Sequence, residues 1–185
     1  STEAGLDHRT IRNNLDELKR SQEVSPQPNF LILLGDRYGW RPLPEEISAD
    51  EFRQLWVACG DEHERATLQT WYRADENAIP VKHLLRSRRD SPDGCDYTLD
   101  LQHRDRKEWS LVQATLWRLI NRAFPIERLE SRFARPVTSG TTIPEIVRFQ
   151  ASATEQEIWA GALSIPGASE HVVTVSREIT NLTDW

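Results

Sequence analysis

The residues best equipped for chemistry sit in one stretch: the polar loop Gly35-Asp36-Arg37-Tyr38-Gly39-Trp40 and the carboxylates Glu45, Glu46, Asp50 and Glu51 that follow it. Any of these carboxylates could face a ligand crevice beside the loop, with Tyr38 or Trp40 stacked on a bound ring. Each residue also has a structural role open to it. Asp50 and Glu51 stand in the first turn of a helix opened by Ser48, where negative charge complements the macrodipole. Asp36 and Arg37 could form an ion pair that fixes the turn. Tyr38 and Trp40 could pack over a sheet edge. Gly39 reads as a positive-φ turn residue that a β-carbon would strain.

Other reaction chemistries lack their residues. The chain has no G-x-x-x-x-G-K-[ST] loop, no dinucleotide glycine fingerprint, no H-E-x-x-H pair and no G-x-S-x-G elbow. Its histidines, His8, His63, His83, His103 and His171, lie in unrelated segments without ligand spacing, so no metal site and no cofactor is expected. Cys59 and Cys95 have no metal spacing either. Two thiols and no secretory pattern fit a reduced, cytoplasmic setting.

The loop is delivered by the run Phe30-Leu31-Ile32-Leu33-Leu34, five apolar residues bounded by turn formers. Such a run is too short for a helix and reads as a strand buried on both faces in mid-sheet. Ligand crevices in open α/β sheets lie outside the carboxyl ends of the strands, which is where Gly35 to Trp40 would fall. Around it the pattern alternates. Asp7 to Glu23 is an amphipathic helix carrying Ile11, Leu15 and Leu18. Ser48-Ala49-Asp50-Glu51 is a capping box opening a helix with Phe52, Leu55, Trp56 and Cys59 on one stripe. A helix follows over 61–73, then a short strand over 81–85, a long polar loop over 86–106, a helix over 107–124 and a short one near Leu129. Ile146 to Ala151 reads as a strand. Thr154-Glu155-Gln156-Glu157 reads as a second capping box, and His171 to Val175 as a last strand.

With 185 residues, 38% of them hydrophobic, the chain can bury one sizeable core, so 1–185 reads as a single α/β domain with a helical and loop insertion over about 60–106. A net charge of -6 argues against a nucleic-acid partner. The cations Lys82, Arg86, Arg88, Arg89, Arg104, Arg106 and Lys107 form a solvated face or meet an acidic partner. No apolar run approaches the roughly 20 residues that a bilayer span requires, so no membrane partner is expected. The opening Ser1 and the lack of any Met fit a fragment or a processed product.

The run from Phe30 through Gly35-Asp36-Arg37-Tyr38-Gly39-Trp40 to Pro44, with Ala151-Ser152-Ala153-Thr154-Glu155-Gln156-Glu157-Ile158 and Glu170-His171-Val172, resembles a known family. This is the domain of unknown function 4062 family, found N-terminal to the NTPase module of NACHT and WD-repeat proteins and of the telomerase-associated protein. The likeness spans nearly the whole chain. It implies a three-layer, Rossmann-like or flavodoxin-like (TIR-like) parallel sheet flanked by helices. It also implies a downstream STAND-type NTPase domain in the same chain, self-association on activation and a place in antiviral defence signalling. Ser1 to Asp7 resembles the segment just after the family's second strand, which implies that the first β-α-β unit is lacking. TIR-like NAD-cleaving enzymes carry a catalytic glutamate on a helix after a central strand, and Glu46 or Glu51 is nearest by position. The serine, tryptophan and cysteine that flank it there are not reproduced. Two readings result. One is a non-enzymatic effector or adaptor domain working through protein contacts; the other is an enzyme processing NAD or a related nucleotide at Gly35 to Trp40.

Overall fold

A computed structural model describes residues 3–25, 27–35, 38–90, 92–93, 97–98, 107–130, 138 and 140–177. Helices α1 (Glu3–Leu6) and α2 (Thr10–Val24) lead into strand β1 (Phe30–Leu34). After Pro42 and Pro44 come β2 (Glu46–Ser48), α3 (Ala49–Ala58), α4 (Glu62–Trp71), β3 (Tyr72–Asp75) and β4 (Lys82–Leu85). Then follow α5 (Lys107–Ala123), α6 (Glu127–Glu130), α7 (Val147–Gln150) and α8 (Ala153–Ile158). Helix α8 runs on into a π-helical turn (Trp159–Leu163), and β5 (Val172–Ser176) closes the described chain.

The helix starts follow local chemistry. Ser48 Oγ accepts from the Glu51 amide at 3.2 Å while the Glu51 carboxylate accepts from the Ser48 amide at 2.7 Å, so the expected capping box forms and satisfies two orphan donors. Asp61 caps α4 in the same way, accepting from the Glu64 amide at 2.8 Å. The cap of α8 is Ser152, which accepts from the Glu155 amide, and not Thr154 as the spacing had implied. Ser152 is two residues nearer the turn, so it reaches the free amides first.

Two separate sheets result. Strands β1 and β5 pair in parallel, Phe30 opposite Val172 and Leu34 opposite Ser176. Strands β2, β4 and β3 form an antiparallel sheet in that order. The protein is therefore mixed α/β with a small parallel sheet flanked by helices, an arrangement compatible with a Rossmann-like or flavodoxin-like layout.

The buried core lies elsewhere than the apolar pentapeptide implied. Leu55, Leu68, Trp71, Tyr72, Leu116, Leu119, Ile120, Phe124, Phe149 and Trp159 pack between α3, α4, α5 and the antiparallel sheet, and that cluster contains no residue of β1 or β5. Only Ile32 of the pentapeptide is buried. Among the described residues β1 has one neighbour, so the expectation of a strand covered on both faces in mid-sheet is corrected.

Two further assignments change. Residues 147–150 are helical, with the Ala151 amide bonded to the Val147 carbonyl at 2.8 Å, not extended. Val147, Phe149 and Gln150 are all buried there, and a period of two could not turn them inward together. The helix expected to reach Arg73 stops at Trp71, because Tyr72 to Asp75 are recruited as an edge strand by β4. The expected loop over 86–106 lies mostly outside the described residues.

Candidate functional site

The loop after β1 folds down onto the start of α8. The Tyr38 hydroxyl donates to the Glu155 carboxylate and accepts from the Ser152 amide at 3.0 Å; the Trp40 carbonyl accepts from the Ala153 amide at 2.8 Å. Partial burial and the Glu155 carboxylate raise the phenol's pKa above its ordinary value, keeping the donor proton in place. Gly39 lies against this contact: a β-carbon there would stand 3.2 Å from Thr154 Oγ1 and 3.3 Å from Ser152 Cβ. Its requirement is close approach, and the expected positive φ is corrected, since only Gly140 and Gly167 show one among the described glycines. Tyr38 and Trp40 keep exposed rings, and Gly35 has open space beside it. Asp36 and Arg37 lie outside the described residues.

The two residues singled out by position, Glu46 and Glu51, both contact Arg148, Glu46 through its backbone carbonyl and Glu51 through its carboxylate. One guanidinium nitrogen of Arg148 donates to the Glu46 carbonyl at 3.0 Å and the other to the Glu51 carboxylate. The second Glu51 oxygen already receives the Ser48 amide, so both oxygens of this buried group are engaged. Glu46 is held by Lys82 at 2.8 Å and Arg12 at 3.4 Å. The carboxylates open into different hollows. Glu46, with Glu45, Pro42 and Gln156, borders one of about 290 Å³; Glu51, with Gln54, Phe124 and Glu145, borders another of about 640 Å³. Neither hollow is lined by Gly35, Tyr38, Gly39 or Trp40. Among the described residues, the loop and the carboxylates line neither of these hollows together.

Glu45 is the acid of this group whose pKa is displaced upward. Burial raises its pKa, outweighing Arg12 at 3.1 Å and Arg9 at 3.9 Å. Sequence reasoning counted Glu45 among the nearby acids without ranking it, because burial is invisible in one dimension. It missed Arg148 and Gln150 altogether, having assigned their segment to a strand. Gln150 is fully buried, donating to the Phe124 carbonyl and accepting from Arg41, whose guanidinium lies 4.3 Å from the Trp117 ring centre. A lone arginine and glutamine inside an apolar run, Val147-Arg148-Phe149-Gln150, was the available signal.

Two strongly shifted groups stand away from the loop. Glu64 is 1% exposed and accepts from the Gly60 amide, Arg122 and Arg118, the first two at 2.7 Å and the last at 3.0 Å; these bonds hold its pKa down to about 2. His8 lies 5.1 Å from the Trp109 ring, and burial together with the Arg88 charge lowers its pKa to about 4. Both act on packing between elements. Among the described residues no group of three or more His, Cys, Asp or Glu is placed to hold a metal ion. None of the described helices is long and apolar enough to cross a membrane.

The class of the protein is thus set by its fold, a mixed α/β unit whose most intricately bonded carboxylates hold elements together. Comparison with known proteins adds a relationship over part of the chain. It is 36% identical over 76 residues to NACHT and WD repeat domain-containing protein 2 of Mus musculus, a match covering 40% of this chain and 4% of that protein. The Homo sapiens protein of the same name matches at 36% over 70 residues, covering 37% and 4%. NACHT domain- and WD repeat-containing protein 1 of Mus musculus matches at 35% over 81 residues, covering 43% and 5%. The matched part is thus about a twentieth of these relatives or less, and it is homologous to a region of NACHT-containing proteins. No family model matches the chain, and no solved structure matches it.

Proposed function

We propose that this chain is an effector or adaptor domain of a STAND-type, NACHT-containing NTPase and works through protein contacts without catalysing a reaction. The observation that carries this reading is the engagement of the candidate acids. Both oxygens of Glu51 serve a helix cap and Arg148, Glu46 is neutralised by Lys82 and Arg12, and the two border separate hollows. A glutamate that stabilises charge at a ribose needs a free carboxylate edge facing the substrate. The relatives' names supply the setting, polypeptides bearing a NACHT module and WD repeats. In this reading the domain lies in the cytoplasm, contacts the NTPase domain of its own chain, self-associates on activation and serves defence signalling. A further β-α-β unit beside β1 would complete a domain of the 4062 family, and the bare face of the parallel pair is consistent with one.

The test is incubation with NAD, alone and under conditions that oligomerise the protein, with nicotinamide release as the readout. None is expected. Release that disappears in Glu46→Gln would establish the nucleotide-processing alternative. Glu51→Gln is a poor probe, because it disturbs the α3 cap and leaves Arg148 without its partner.

A further inference from the structure

The antiparallel sheet is engaged along one edge and open along the other. Bonded pairs alternate in an antiparallel ladder, so every second residue of an edge strand turns its amide and carbonyl away from the neighbouring strand. The Leu85 amide donates to the Glu45 carbonyl at 2.8 Å, and by this alternation Glu46 and Ser48 of β2 face outward. One outward group of each is engaged: Arg148 donates to the Glu46 carbonyl at 3.0 Å, and the Ser48 amide donates to the Glu51 carboxylate at 2.7 Å. On the opposite edge the Arg86 amide donates to the Trp71 carbonyl at 2.7 Å. That bond puts Arg73 and Asp75 of β3 in the bonded pairs with β4 and turns the Ala74 amide and carbonyl outward. Ala74 is exposed, and among the described residues no hydrogen bond outside the ladder reaches it.

Charge identifies what this edge pairs with. Edge strands that must stay single are blunted by charges that repel a second strand. Arg73 and Asp75 instead carry opposite signs two residues apart, on one face of β3. When a second β3 lies antiparallel with Ala74 opposite Ala74, each Arg73 faces an Asp75 of the other copy across a non-bonded pair, where side chains come closest. The two Ala74 residues exchange both main-chain bonds, and their small side chains let the backbones meet. A slip of two residues, the least that keeps outward groups together, sets Arg73 against Arg73 or Asp75 against Asp75. One register is therefore favoured, and it is symmetrical, as a closed contact between identical chains requires. The contact of Arg73 with Asp90, at 3.7 Å between side chains 63 and 55% exposed, is too weakly held to compete. A strand contact this short buries well under the roughly 1,000 Å² of a stable interface, so it is transient in dilute solution and forms where copies are already held close.

We infer that β3 is a self-pairing edge through which two copies of this chain join their three-stranded sheets into one, centred on Ala74 and registered by Arg73 and Asp75. The inference rests on the protein-contact reading above and names the surface through which self-association runs.

The test is disulfide trapping in an equimolar mixture of two variants, Arg73→Cys and Asp75→Cys, with the parent protein as background. In the inferred register the new thiols face each other, while Asp75 of the first variant still faces Arg73 of the second. The mixed disulfide should form at least about fivefold faster than either homodisulfide. Adding Asp75→Arg to the first variant sets two arginines against each other and should remove that preference; adding Arg73→Asp to the second should then restore it. Ala74→Pro, placed in both variants, removes only an outward donor, so it should leave the thermal midpoint within about two degrees and abolish the preference. A mixed disulfide no commoner than random collision gives overturns the inference, as does a preference indifferent to charge reversal. So does a large fall in midpoint with Ala74→Pro, which would mean that the Ala74 amide is bonded within the fold. Nicotinamide release would sink the adaptor reading without altering any trapping rate, so the two failures are distinguishable.

Discussion

Glu64 is held by one backbone amide and two arginines, and its carboxyl stays ionised down to about pH 2. A carboxylate whose folded pKa lies below its unfolded value of about 4.5 adds stability that is fully present above that value and is lost as pH falls toward 2. Glu64→Gln should therefore cost about 2–3 kcal/mol at pH 7, with the difference from the parent shrinking toward zero near pH 2, as read by urea unfolding at several pH values. His8 has the same sign for a different reason. Its neutral form is favoured by burial against Trp109, so the stability it adds is present above pH 6.5 and lost as pH falls through about 4. His8→Gln should flatten the pH dependence between 6.5 and 4 while leaving the acid limb below 4, which belongs to Glu64, in place.

Contacts between elements lead to sharper consequences. The approach of the π-helical turn to β1 depends on Gly161, where an added methyl meets the Phe30 ring. Gly161→Ala should destabilise the protein by about 1–3 kcal/mol through overpacking, seen as a lowered thermal midpoint. A companion Phe30→Leu should recover part of the loss, which separates crowding from any helix-propensity effect. Arg148 ties α7 to β2 and to the cap of α3. Arg148→Met should cost about 3–5 kcal/mol at pH 7, because it leaves Glu51 buried without its counter-charge. Replacing Arg148 and Glu51 together, by Met and Gln, should cost less than Arg148→Met alone. A purely additive pair would contradict the coupling described here.

The whole molecule is unevenly covered, with a dense core around the antiparallel sheet and a bare apolar face on the parallel pair. Exposed patches of this kind drive association when nothing covers them. The double variant Leu33→Lys and Val175→Lys should raise the solubility of the 185-residue chain and leave its thermal midpoint within about a degree, since neither side chain enters the core. A drop of many degrees would mean that these residues carry tertiary contacts. Much of the architecture was legible beforehand. Helices α2, α3 and α5, strand β4 and the parallel strands β1 and β5 all follow from periodicity and caps, because amphipathic spacing and capping are written in neighbouring residues. The candidate site was legible only as a list. Glu46, Glu51 and the Gly35–Trp40 loop were named, but not that Arg148 would occupy Glu51, that Lys82 and Arg12 would hold Glu46, or that Tyr38 would be fastened to Glu155.

Local chemistry alone determined that the chain is α/β, that Ser48 starts a helix and that Leu31 to Leu34 extend as a strand, since each depends on interactions a few residues long. Tertiary structure alone decided that the strand's outer face stays open, that 147–150 coil to bury three side chains, and that the two glutamates face separate hollows. Those outcomes turn on which surfaces meet. Residues such as Arg148 and Glu51, ninety-seven positions apart in the chain, acquire their roles only when folding brings them into hydrogen-bond range.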